Sequence, residues 1–149
     1  MRDQRQWPDR ELTLGEKNGL SRSQGWWKTQ SEGVWVEHDT ETSFLIARMG
    51  NPKFKQRFGA LMAPHQRRYD AGKLSNDMQS QIMAKAVSET ILLGWKGLQM
   101  DGKELKYSKD KAYEILADPT AEEFLALILE YAQDNERFRN EKLEEMAKN

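Results

Sequence analysis

Two histidines, His38 and His65, are the only imidazoles in the 149-residue chain, and they lie in different parts of it. His38 opens the run His38-Asp39-Thr40-Glu41, the nearest approach to a metal-ligand cluster. A zinc site needs three or four converging ligands, and neither HExxH nor His-x3-His spacing is present to bring them together. As a turn between two strands, the run reads more simply as solvated polar residues. A serine or threonine nucleophile needs a neighbouring histidine and an orienting acid. The hydroxyl residues near His38 share its turn, and no GxSxG is present. The phosphate-cradling patterns GxxxxGK[ST] and GxGxxG are missing as well. Glu122/Glu123 and Glu144/Glu145 are acid–base candidates by type. The first pair falls in the opening turn of a helix, where negative charge complements the dipole, and the second in a charged tail. With no cysteine there is no disulfide and no thiolate metal site. The chain is therefore expected to be no enzyme and to hold no metal or cofactor.

Charge supplies a different kind of candidate. Lys53, Lys55, Arg57, Arg67 and Arg68 form a basic patch interleaved with Phe54, Phe58 and Tyr69, as a nucleic-acid surface requires. The plainer reading places Lys53, Lys55 and Arg57 on the solvent face of a helix whose aromatics are buried. From Ser75 onward ten basic residues face fifteen acidic ones, so the patch could also meet the acidic half of another copy, head to tail. Overall, 23 basic side chains stand against 24 acidic ones, which removes global charge as an argument for nucleic-acid binding. Hydrophobic residues make up 38% and charged residues 32%. That is enough for one core, with part of the chain outside it. No stretch approaches the length of a membrane span, and the start lacks the apolar run of a signal peptide.

The elements that must position these residues follow from period and punctuation. Residues 1–32 are polar, without helical or strand spacing, and read as an extension carrying Trp7, Trp26 and Trp27 as anchors for the chain's own domain or a partner. Residues 33–149 read as one mainly helical domain, with a charged end from about 139 that is expected to fray. Gly33-Val-Trp-Val-Glu-His38 and Phe44-Leu-Ile-Ala47, separated by five polar residues, predict a hairpin. The second run lacks alternation and suits burial on both faces. Asn51-Pro52 opens a helix with Phe54, Phe58 and Leu61 on one face, ended at Pro64.

Further along, a helix is expected from Ser75 to Leu93, with Met78, Ile82, Met83, Ala86, Val87, Thr90 and Ile91 in one stripe and a break at Gly94. Asp101-Gly102 predicts a two-residue hairpin pairing Met100 with Lys103 and Leu98 with Leu105. Ser108 caps a short helix stopped at Asp118-Pro119, and Thr120-Ala-Glu-Glu123 reads as a capping box. The last helix turns Phe124, Leu127, Ile128, Tyr131 and Phe138 to the core. The fold class is α+β leaning strongly to α, with an N-terminal hairpin and a short Asp-Gly hairpin.

The order of several short motifs is similar to that of a known family. Leu92-Leu-Gly-Trp95-Lys96-Gly97 leads into Asp101-Gly102-Lys103 and then Tyr107-Ser108. Ala132-Gln-Asp134-Asn-Glu-Arg-Phe138 follows, with Phe44-Leu-Ile-Ala-Arg48 and Gly50-Asn-Pro-Lys-Phe54 upstream. Across residues 33–149 this resembles the tail assembly chaperones of long-tailed bacteriophages. The resemblance implies a non-enzymatic protein that binds the tape measure protein, keeps it from aggregating and helps recruit tail tube protein. It implies work in the bacterial host cytoplasm and absence from the mature particle. It also implies two product lengths, the longer made by frameshifting, and Ala147-Lys148-Asn149 is compatible with a slip-prone codon string. A holdase must lend apolar surface to its client. Trp26, Trp27, Met78, Met83, Trp95 and Met100 are the expected partner contacts, and self-association is expected beside them. Two other readings stay open: a nucleic-acid-binding accessory protein acting through residues 48–73, and a structural component of tail or neck.

Overall fold

The computed structural model describes residues 32–148. Three strands, β1 (Val34–Glu37), β2 (Ser43–Ile46) and β3 (Leu92–Lys96), form an antiparallel sheet with β2 in the middle. Around it lie α1 (Pro52–Met62), α2 (Gln66–Asp70), α3 (Asn76–Thr90), α4 (Lys109–Leu116) and α5 (Glu122–Lys148). A small ribbon of β4 (Gln99–Met100) and β5 (Lys103–Glu104) follows β3. The fold is α+β and mainly α.

The expected hairpin forms, pairing Val34 with Ile46 and Glu37 with Ser43. Its turn is closed by the Asp39 carboxylate, which accepts from the backbone N–H groups of Glu41 (2.9 Å) and Thr42 (2.7 Å). Strand β2 is paired along both edges, and its apolar run is covered on both faces, fully at Phe44 and Ile46, which are buried, and partly at Leu45, which is half-buried. Asn51 caps α1 as read, accepting from Phe54 N–H at 2.9 Å, and Pro64 falls in a 3-10 turn (Ala63–His65) that ends the helix. Asp101 (φ 55°) and Gly102 (φ 76°) both take the left-handed backbone that a two-residue hairpin needs, and Met100 faces Lys103.

Helix α3 is shorter than its apolar stripe. It stops at Thr90 with Ile91 as its C-cap, and Leu92-Leu93 enters the sheet instead of continuing the helix to Gly94. Ile91 follows Val87 at helical spacing, so period alone cannot separate the two outcomes. The apolar run is satisfied in the sheet, where Leu92 pairs with Ile46 and Trp95 with Phe44. The register shifts between Leu45 and Ile46, and the Ile91 carbonyl accepts from Ala47 N–H at 2.9 Å. Gly94 is a strand residue opposite Leu45, not a helix stop.

The expected capping box at Thr120 is replaced. Asp118 caps a 3-10 turn (Pro119–Ala121) by accepting from both the backbone N–H and the hydroxyl of Thr120, at 3.0 and 2.8 Å. With its hydroxyl committed upstream, Thr120 caps no helix. Beyond Phe138 the helix continues to Lys148. The core joins Phe44 and Ile46, Phe54, Ala84, Ala86 and Val87, Ile91, Leu92 and Trp95, Ala112 and Leu116, and Ile128 and Ala132. A satellite of Met62, Leu74 and Ile82 ties α1 to α3. Among the described residues, no helix is long and apolar enough to cross a membrane.

Candidate functional site

The two loops at one end of the sheet meet the start of α5 and enclose an open cleft of about 540 Å³. The β1–β2 turn contributes His38, Asp39, Thr40, Glu41 and Thr42; the link from β3 to β4 contributes Gly97, Leu98 and Gln99. Phe44, Phe124 and Leu127 make the floor. The two loops touch closely. Thr42 donates its hydroxyl to the Gly97 carbonyl at 3.3 Å, and a Cβ on Gly97 would lie 1.7 Å from the Glu41 carbonyl oxygen. Gly97 also holds φ at 75°. Only glycine fits this crossing.

The walls are aromatic and the rim is acidic. His38 Nδ1 and the Tyr131 hydroxyl are 2.8 Å apart, and Phe44 packs edge-on to Phe124 with ring centres 5.7 Å apart. The Asp39 carboxyl is held below its usual value, foremost by the Glu41 backbone N–H, with Thr42 helping it outweigh the opposing effect of burial, so it is ionised at neutral pH. Burial, with nearby carboxylates including Asp39, pushes the Tyr131 phenol up, so it stays protonated and can donate. Among the described residues, no three histidine, aspartate or glutamate side chains are placed to hold a metal ion. The arrangement can seat an apolar group and attract a cation beside it.

A second polar cluster lies where the chain passes from β2 to α1. Arg48, 8% exposed, donates to Glu136 at 2.8 Å, and the same carboxylate accepts from Gly50 N–H at 2.9 Å. Asn51 donates to the Arg48 carbonyl (2.7 Å), Asn135 to the Ile46 carbonyl (3.1 Å), and Met49 N–H to the Ala132 carbonyl (3.0 Å). Burial raises the Glu136 carboxyl, but the hydrogen bonds from Arg48 and Gly50, with the Arg48 and Arg139 charges, outweigh it and leave it lowered. The motifs Phe44–Arg48, Gly50–Phe54 and Ala132–Phe138 thus converge on one junction, and what they do there is brace α5 against the sheet.

The expected partner residues are scattered. Trp26 and Trp27 lie outside the described residues. Met78 packs beside the satellite cluster and Met83 beside the main core, both half-buried. Trp95 belongs to the core at 6% exposure, because its indole N–H donates to the Leu105 carbonyl at 2.7 Å and its ring meets Tyr107 edge-on. It offers a partner no surface in this fold. Met100 is exposed on the small ribbon. In the basic patch, Lys53, Lys55, Arg67 and Arg68 are exposed, with Arg68 against the His65 ring. Arg57 departs from the patch: its guanidinium is bound to Glu89 at 2.6 Å, which offsets its charge locally. Phe54 is buried beneath, as the plainer helix-face reading requires. The cleft itself escapes a linear reading, since its floor comes from Phe44, Leu98, Phe124 and Leu127. The available signal was Gly97 beside an Asx-type turn.

Comparison with curated protein sequences gives no match, and comparison with solved structures gives none either. Residues 49–149 match the model of a family described as YdaY prophage protein. That match takes in the helices, β3, the small ribbon and the Glu136 half of the junction, well over half of the chain. The chain belongs to the YdaY prophage protein family.

Proposed function

We propose that this prophage protein acts without catalysis, as a chaperone of phage tail assembly that binds the tape measure protein and assists tail tube formation. The observation that carries the reading is the open cleft beside the sheet, where Phe124, Leu127 and Leu98 are half-buried under an acidic rim. Such a surface can lend apolar contact to an extended client. Its setting in a prophage family is in keeping with this role. The site of action is then the bacterial host cytoplasm during assembly, and the protein is absent from finished particles. Co-expression with the tape measure protein of the same prophage tests the reading. The client should stay soluble only with the wild-type chain, and Leu127→Asp should abolish that effect. A client that is equally soluble alone, or equally protected by Leu127→Asp, overturns it.

A second reading is favoured by one observation, the exposure of Lys53, Lys55, Arg67 and Arg68 on α1 and α2. Four cations with Arg57 offset by Glu89 make a modest phosphate-binding surface. Retardation of DNA migration that disappears in Arg67→Glu/Arg68→Glu supports it; unretarded DNA at low salt removes it.

A further inference from the structure

We propose that the cleft receives the Arg67-Arg68-Tyr69 corner of a second copy of this chain, so that copies join head to tail. The inference goes beyond the chaperone reading and does not depend on it. The receiving side is fixed by the cleft: an apolar floor of Phe44, Phe124, Leu127 and Leu98 below the carboxylates of Asp39 and Glu41. Its occupant needs an apolar body with positive charge next to it.

The described surface offers three large apolar side chains of high exposure, Tyr69 at 48%, Met100 at 46% and Met146 at 40%. Met146 follows Glu144 and Glu145 and would bring carboxylates against an acidic rim, while Met100 adjoins both Asp101 and its own cross-strand partner Lys103 and brings no net positive charge. Tyr69 follows Arg67 and Arg68, both exposed. The acidic neighbour of Tyr69, Asp70, already accepts from Gln66 at 2.9 Å. Tyrosine also suits the geometry of the site. Its ring buries against the aromatic floor while its hydroxyl keeps a polar partner at the wet rim. Of the exposed apolar groups, only this corner pairs aromatic body with cation.

The knob is built by α2 and the hole by the sheet end and α5, so the contact is heterologous and repeats from copy to copy, giving a ring or an open chain. A single tyrosine with the exposed arginines of its own helical turn makes a small interface. Association should therefore be weak, reversible and sensitive to salt.

Sedimentation of the full chain over a range of concentrations tests this. The expected mass rises with concentration above the 17.4 kDa of one chain and falls back at about 0.5 M salt. Glu41→Arg alone, and Arg67→Glu/Arg68→Glu alone, should each return the protein to single copies. An equal mixture of the two should associate again, because the native basic knob of the first variant meets the native acidic hole of the second. Tyr69→Ala should weaken association about tenfold. Asp39 is left unchanged because it builds the turn. Should Glu41→Arg disturb folding, seen by circular dichroism, the α2 variants decide alone. Single copies at every concentration, association untouched by the α2 variants, or a mixture of folded variants that stays apart would each overturn the proposal, the second pointing to residues 1–31 or another face.

Discussion

At the scale of single residues, two positions carry sharp consequences. Gly97 and Gly102 share the same left-handed φ, near 75°, but differ in surroundings: a Cβ at Gly97 meets the Glu41 carbonyl, while one at Gly102 meets nothing. Gly102→Ala should cost about 1 kcal/mol, the backbone penalty alone. Gly97→Ala should cost about 3 kcal/mol and open the cleft, because two loops must separate as well. Urea unfolding of both variants measures the difference, and equal losses would show that the crossing is not tight. Glu136 is the other position. Its carboxyl is lowered in the folded chain, so its stabilising effect is complete above the ordinary value of 4.5 and is lost as pH falls through the lower folded value. Glu136→Gln leaves Arg48 buried without its counter-charge and should cost about 2 kcal/mol at neutral pH. The gap between wild type and variant should narrow as pH falls below 4.5, read by urea midpoints across pH.

At the scale of elements, three helix starts were legible, while the start of α5 and the end of α3 were not. Asn51, Ser75 and Ser108 cap as their types require, since an N-cap bond spans only three residues. Yet the same motif carries different weight in different places. Ser75 is exposed, and Ser75→Ala should cost about 1 kcal/mol. Asn51 is fully buried, so Asn51→Ala should cost about 2 kcal/mol: it strands the Phe54 N–H away from water and removes one of the two bonds the Arg48 carbonyl accepts, leaving that from the Asn51 N–H. Thermal unfolding of the pair separates local from tertiary capping. The end of α3 and the start of β3 were misread because Ile91-Leu92-Leu93 suits either a buried helix or a buried strand. What decides it is the open side of β2, supplied by residues far away in the chain.

At the scale of the whole molecule, the family match starts at Met49, after β1 and β2. The fold does not divide there. Phe44 and Ile46 sit in the centre of the core, β3 finds its partner in β2, and Arg48 reaches across to Glu136. A fragment of residues 49–149 should therefore lose its cooperative thermal transition and its near-ultraviolet circular dichroism. A fragment that melts as sharply as the full chain would show that the sheet is dispensable. The same reasoning accounts for the short motifs that prompted comparison with tail assembly chaperones. Phe44–Arg48 and Gly50–Phe54 are far in sequence from Ala132–Phe138 and meet it at one brace, so their spacing reflects how α5 is held against β2.

The chain's own order of residues determined most of what acts within a few positions: the hairpin at Asp101-Gly102, the caps at Asn51, Ser75 and Ser108, the turn at Asp39, the helix faces and the mainly helical class. These depend on backbone dihedrals and on hydrogen bonds between near neighbours, which local composition specifies. Tertiary structure alone decided that Trp95 is interior, that Arg57 spends its charge on Glu89, that α3 yields to β3, and that four apolar side chains from three elements frame a cleft. Each of those outcomes is a contact between distant segments, and its energy exists only once the sheet and helices have come together.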